Sequence, residues 1–131
     1  MTRGSSMAKL GAGSLAKLGE GHPDIARLVK ATVARMPADH DLIVLCVWRG
    51  KAEQDKAFAD GKSKLRWPDS KHNSSPSRAV DLAPYPLDWS DRHAFVELAT
   101  YVLEAAADLG IRVRWGGHFA GFPDLPHFEL L

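Results

Sequence analysis

Cysteine occurs once in the 131 residues, at Cys46, so no internal disulfide can staple the fold. Within the apolar run Leu42-Ile43-Val44-Leu45-Cys46-Val47-Trp48 that thiol reads as a small buried hydrophobe rather than a nucleophile. An excess of one charge is missing too. Seventeen basic against sixteen acidic side chains give a net +1, which leaves no broad attraction to nucleic acid or to an anionic membrane. The short basic stretch at residues 62–66 reads as a solvated face. No apolar run approaches the roughly eighteen residues of a membrane span, and no N-terminal segment joins basic residues to an apolar stretch of signal-peptide length. Also absent are the H-E-x-x-H helix, the G-x-S-x-G elbow, a phosphate-binding glycine loop and paired C-x-x-C motifs. Those chemistries are set aside.

What is present fits one domain over residues 1–131, with 45% hydrophobic and 25% charged residues. Residues 1–6 precede a second methionine and are treated as a remnant outside the fold. Residues 8–21, rich in glycine and small side chains, read as an N-terminal arm with one short helical turn. Pro23 then opens a helix on which Ile25, Leu28, Val29, Val33 and Met36 recur at helical spacing, until Pro37 stops it. The tripeptide His22-Pro23-Asp24 spells the contact motif of J-domain co-chaperones. It lacks the long helical hairpin that motif requires, and helix entry explains it.

The apolar run at residues 42–48 predicts a central strand covered on both faces. Residues 51–60 have helical composition and stop at Gly61; Gln54 there reads equally as a supporting or a surface residue. Residues 62–69 form a loop whose Trp67 is either a cleft wall or a partly buried core aromatic. A strand at residues 79–83 places Asp81 opposite the large apolar Val80 and Leu82. Ser90 caps a helix over residues 91–109 with the stripe Phe95, Leu98, Val102, Ala106 and Leu109, closed by Gly110; His93 is exposed in its first turn. Residues 111–115 read as a strand, Gly116-Gly117 as a sharp turn, and residues 118–123 as a loop lining a cleft with Phe119 and Phe122. In a last strand, His127 and Glu129 share one face while Phe128 and Leu130 face the core.

Two imidazoles and two carboxylates stand out in this chain. His72, Asp81 and His127 are donors of the type that hold a catalytic zinc through three protein ligands and leave a fourth position to water. Asp124, close to His127 in sequence, is the natural base for that water.

At these residues the chain resembles the zinc D-alanyl-D-alanine peptidase family. The likeness rests on Ser70-Lys71-His72, Ala79-Val80-Asp81, Trp115-Gly116-Gly117 and Asp124-Leu125-Pro126-His127-Phe128, and spans roughly residues 49–130. The family pattern S-x-H-x-x-G-x-A-x-D is shorter between its two ligands; here the interval is longer and carries Ser75-Pro76-Ser77 in place of the glycine. His118 stands where the family often has an acidic residue, and it is the main rival to the ligands named.

The resemblance implies a single α+β domain of the hedgehog and DD-peptidase kind, a central, mostly antiparallel sheet packed by helices. It implies Zn2+ as cofactor, and Arg49 as the arginine that reaches the substrate carbonyl or carboxylate. An aspartate at the base position points to the endolysin branch, which cuts the L-Ala–D-Glu bond of the peptidoglycan stem peptide. The alternatives are a D-Ala-D-Ala carboxypeptidase or dipeptidase, and a zinc-stabilised peptidoglycan-binding module without catalysis. The expectation is a monomer that binds no nucleic acid and inserts in no membrane. It is made in the cytoplasm and reaches periplasmic peptidoglycan after release by a holin.

Overall fold

The computed structural model describes residues 10–131; residues 1–6 and the first two positions of the arm lie outside the described residues. Four α-helices and a four-stranded antiparallel sheet follow in the order α1 (Ala12–Leu18), α2 (Pro23–Arg35), β1 (Asp41–Cys46), α3 (Lys51–Ala59), β2 (Ala79–Tyr85), α4 (Arg92–Leu109), β3 (Val113–Trp115) and β4 (His127–Leu130). The strand order across the sheet is β1-β2-β4-β3, and every pairing is antiparallel. This is the α+β architecture expected from the sequence.

The two-residue period of the strands separates core from site. Leu42 and Val44 of β1, Val80 and Leu82 of β2, Phe128 and Leu130 of β4 and Trp115 of β3 all join the buried core. Against them pack the stripes of α2 (Ile25, Leu28, Val29, Val33) and α4 (Leu98, Ala99, Val102, Ala106). Full burial of a side chain such as Phe128 contributes about 1.5–3 kcal/mol. The opposite face carries Asp81 directly across from His127, and Glu129 across from both Ala79 and Arg114.

Three local expectations are revised. The arm is more than a turn. Residues 12–18 are a true helix, its Leu18 enters the core, and Ser14 Oγ accepts the Val44 amide at 3.1 Å. That contact bears on β1, which is an edge strand and not the central one. Its uninterrupted apolar run is explained by α1, which covers the free edge that a bare strand would expose. At α4 the cap is Asp91, whose carboxylate accepts the Ala94 amide at 3.1 Å, while Ser90 is engaged with Asp88.

Helix α2 begins as expected. His22 is its N-cap, with Nδ1 accepting the Asp24 amide at 3.1 Å, and Pro23 occupies the first turn. None of the helices described is long and apolar enough to cross a membrane.

Candidate active site

Strand β1 carries a bulge. Val44 faces Leu82, but Cys46 faces Asp81, so Leu45 is the extra residue. The bulge turns the chain out of the sheet just before Arg49 and aims the Val47 carbonyl inward, where it meets His72 Nδ1 at 2.8 Å and accepts the Ser77 hydroxyl at 2.6 Å. The stretch at residues 70–73 is fixed by a reciprocal cap: Ser70 Oγ accepts the His72 amide and Asn73 Oδ1 accepts the Ser70 amide. Backbone bonds then join it to its neighbours, Arg49 N to His72 O at 2.9 Å and Arg78 N to Lys71 O at 3.0 Å. The long interval between His72 and Asp81 is therefore ordered around Ser77, which is fully buried and also pairs with residues 20–22 through its backbone.

His72, Asp81 and His127 meet at one point. His72 Nε2 lies 3.1 Å from Asp81 Oδ1 and 3.2 Å from His127 Nδ1, and His127 Nδ1 lies 3.1 Å from the same Asp81 oxygen. The outer nitrogens are engaged elsewhere. His72 Nδ1 faces the Val47 carbonyl, and His127 Nε2 faces Glu129 Oε1 at 2.7 Å. Each outer nitrogen has an acceptor as partner and so carries a proton, which leaves a lone pair on each inner nitrogen of the neutral rings. Two lone pairs and a carboxylate oxygen within 3.2 Å repel one another unless a cation lies between them. The donor set is one that could hold a divalent metal ion.

Cys46 extends the cluster in a way the sequence reading missed. Cys46, His72 and Asp81 offer donor atoms that all lie within 4.8 Å of one another, a group that could hold a metal ion. Its Sγ lies 3.8 Å from His72 Nδ1, on the side of the ring turned away from His127. The thiol is half-buried, not buried in the core. Only the bulge, invisible in the sequence, brings it opposite Asp81.

Arg49 and Asp124 flank the cluster. Arg49 directs NH2 toward Asp81 Oδ2 at 3.6 Å and donates from NH1 to Gln54 Oε1 at 3.0 Å. Gln54 is fully buried and supports the arginine, bonding through Nε2 to Ser63 Oγ and the Leu65 carbonyl. Asp124 lines the cleft and is set by backbone contacts. Its amide donates to Gly116 O at 2.8 Å and its carbonyl accepts the His127 amide at 3.2 Å. Gly116 is required here, because a Cβ would overlap the Asp124 carbonyl oxygen. Trp115 Nε1 ties down Leu125 O at 2.8 Å.

The remaining candidates lie elsewhere. His118 is exposed, with its ring edge-on to Trp115 at 4.9 Å, and it is not part of the cluster. His93 is exposed as expected. Trp67 does not line the cleft; its aromatic wall is formed by Phe119, Phe122 and Trp89, the last stacked on Phe95 at 5.5 Å. Glu129, the partner of His127, was legible as the residue two positions along the same strand face. The cleft over these residues measures about 1020 Å³.

Charge is balanced tightly inside the cluster. Burial opposes the charged form of His72, but the Asp81 carboxylate outweighs it and lifts the imidazole pKa to about 10. Burial likewise pushes Asp81 up, yet the adjacent His72 and His127 hold it well below the usual carboxylate range. His127 is raised against burial by Asp81 and Glu129. Asp124 is raised, first by burial and then by the charge of Asp81.

With no metal bound, a proton therefore takes the cation's place. His72, raised from 6.5 to about 10, contributes stability that is complete below pH 6.5 and is lost as pH climbs toward 10. Asp81, lowered from 3.8, contributes stability that is complete above that value and is lost in acid. Chelated protein is thus expected to melt at its highest temperature between pH about 4 and 6.5 and to weaken toward pH 10. Added zinc should abolish the alkaline decline, because the metal replaces the proton. Thermal melts across pH with and without chelator measure both.

This is an α+β domain with a broad cleft over a buried cluster of imidazoles and carboxylate that could hold a metal ion, the architecture of a small hydrolase. The chain belongs to the phage L-alanyl-D-glutamate peptidase family, which residues 6–130 match. It is 29% identical over 125 residues to the L-alanyl-D-glutamate peptidase of Escherichia phage T5, covering 93% of this chain and 88% of that protein. In three dimensions it is similar to the L-Ala D-Glu endopeptidase ChiX of Serratia marcescens, with a TM-score of 0.78, 29% identity, and coverage of 92% of this chain and 87% of the other.

Proposed function

We propose that this peptidase hydrolyses the L-Ala–D-Glu bond of the peptidoglycan stem peptide, with zinc held by His72 Nε2, Asp81 and His127 Nδ1. The observation that carries this reading is the approach of those three donors to within 3.2 Å while both outer ring nitrogens are bound elsewhere. Cys46 is not assigned as a ligand, since its sulfur faces the His72 nitrogen already paired with Val47 O. Zinc bound there would lower the pKa of a water and polarise the scissile carbonyl.

The protein's own groups supply the rest. Asp124, with its basicity raised by burial and by Asp81, accepts a proton from the attacking water as the oxygen bonds to the carbonyl carbon. When the C–N bond breaks, the same carboxyl returns that proton to the departing glutamyl amine. Arg49, steadied by Gln54, donates hydrogen bonds to the carbonyl oxygen as negative charge develops on it. Glu129 fixes the tautomer and orientation of His127. On the endolysin reading, the enzyme reaches periplasmic peptidoglycan through holin-mediated release.

Digestion of purified sacculi tests the reading. New amino termini on D-glutamate, suppressed by chelator and restored by zinc, are the expected result. Released D-alanine would mark a carboxypeptidase instead. Binding to sacculi without any new terminus would mark a module that has lost catalysis.

A further inference from the structure

A glutamate that gives its nitrogen to the scissile bond keeps two carboxyl groups, and a continuing chain can use only one of them. At least one carboxylate therefore enters the cleft beside the reacting bond. The cleft is already lined by Asp69, Asp81, Asp124 and Glu129, so an arriving anion is repelled unless a cation is held ready for it. Two of the five cations that line the cleft, Arg49 and Lys71, are committed. Arg49 serves Gln54 and Asp81, and Lys71 donates to the Leu130 carbonyl and approaches Glu129 at 3.8 Å.

Arg114 is placed differently. It stands on β3 directly across from Glu129, on the sheet face that carries His127, and it lines the cleft. Its guanidinium carbon rests 4.5 Å from the centre of the Phe119 ring, and that ring lies 5.6 Å from the ring of His127. Arg114 contributes to holding down the Glu129 carboxyl pKa, but it forms no ion pair within 4.0 Å among the described residues. Resting over the ring, the guanidinium keeps its N–H fork out of any ion pair among the described residues, and such a fork of donors grips a carboxylate with two bonds.

We infer that Arg114, seated on Phe119, binds the free carboxylate of the glutamyl residue and so selects acidic over amidated stem peptides. This rests on the L-Ala–D-Glu reading above. Lys64, 5.1 Å from the centre of the Phe122 ring, is the other cleft-lining cation set over a ring, but it belongs to the loop at residues 62–69 and has no register with the strand of His127.

The test compares two synthetic stem peptides that differ only in whether the free glutamyl carboxyl is an acid or a primary amide, with kcat/KM read from the separated products. Wild type should prefer the acid by about 10- to 100-fold, the scale of a charge-assisted hydrogen bond. Arg114→Gln should lose that factor on the acid peptide and leave the amide peptide unchanged, and Arg114→Lys should keep part of the preference. Equal losses on both peptides, or undiminished preference in Arg114→Gln, would overturn the assignment of Arg114 alone. A wild type that cuts neither peptide between alanine and glutamate would overturn the functional reading and this subsite with it.

Discussion

Asp124→Asn is expected to lower kcat by about 10²- to 10⁴-fold, the range associated with loss of a positioned general base, while the zinc content stays at the wild-type level. The substitution keeps the shape of the side chain and leaves untouched the backbone bonds that tie this residue to Gly116 and His127. In the proposed mechanism, what disappears is the group that carries the proton between water and amine. Stability gives an independent reading. A carboxylate whose pKa is raised above 3.8 by burial and by Asp81 opposes folding once it ionises; the opposition is absent below that pH and grows as pH rises through the folded value. The asparagine variant should therefore melt at or above the wild-type temperature at neutral pH, with the difference vanishing in acid. A variant that is inactive because it is misfolded would melt lower, and one that remains fully active with metal bound would remove Asp124 from the mechanism.

His72→Ala should have the largest combined effect. Metal content and activity are expected to fall to background, and the chelated protein should lose about 3–5 kcal/mol, the cost of breaking a buried charge pair by removing one member. His72 is 2% exposed, and its ring connects the Val47 carbonyl on one side to Asp81 and His127 on the other. Without it, the Asp81 carboxylate keeps His127 but loses its principal charge partner, and the Val47 carbonyl keeps only Ser77. Metal analysis and denaturant unfolding of the chelated form separate the two losses. His118→Ala is the matched control: exposed against Trp115, it should leave zinc content unchanged.

Much of this protein could be read in the linear chain because its strongest signals are local. The stripe of Ile25, Leu28, Val29 and Val33 defines α2, and that of Phe95, Leu98, Val102 and Ala106 defines α4, since a period near 3.6 needs nothing beyond the helix itself. The alternation in His127-Phe128-Glu129-Leu130 likewise sends two polar groups to one face and two apolar ones to the other. The bulky run at residues 42–48 misled because hydrophobicity records that a segment is covered, not what covers it. A short helix did so here, where a neighbouring strand was expected.

The sequence alone singled out the candidate side chains: His72, Asp81, Asp124 and His127 stand out by residue type and by the motifs they share with a known family. Their relation in space was decided only by the tertiary structure, as were the assignment of Cys46 to the His72 side of the cluster and of Gln54 to the support of Arg49. The physical reason is that these relations arise from register. The bulge at Leu45, the facing of Asp81 with His127 and the close approach of Gly116 to Asp124 each depend on how one strand or turn meets another, and no single segment contains that information.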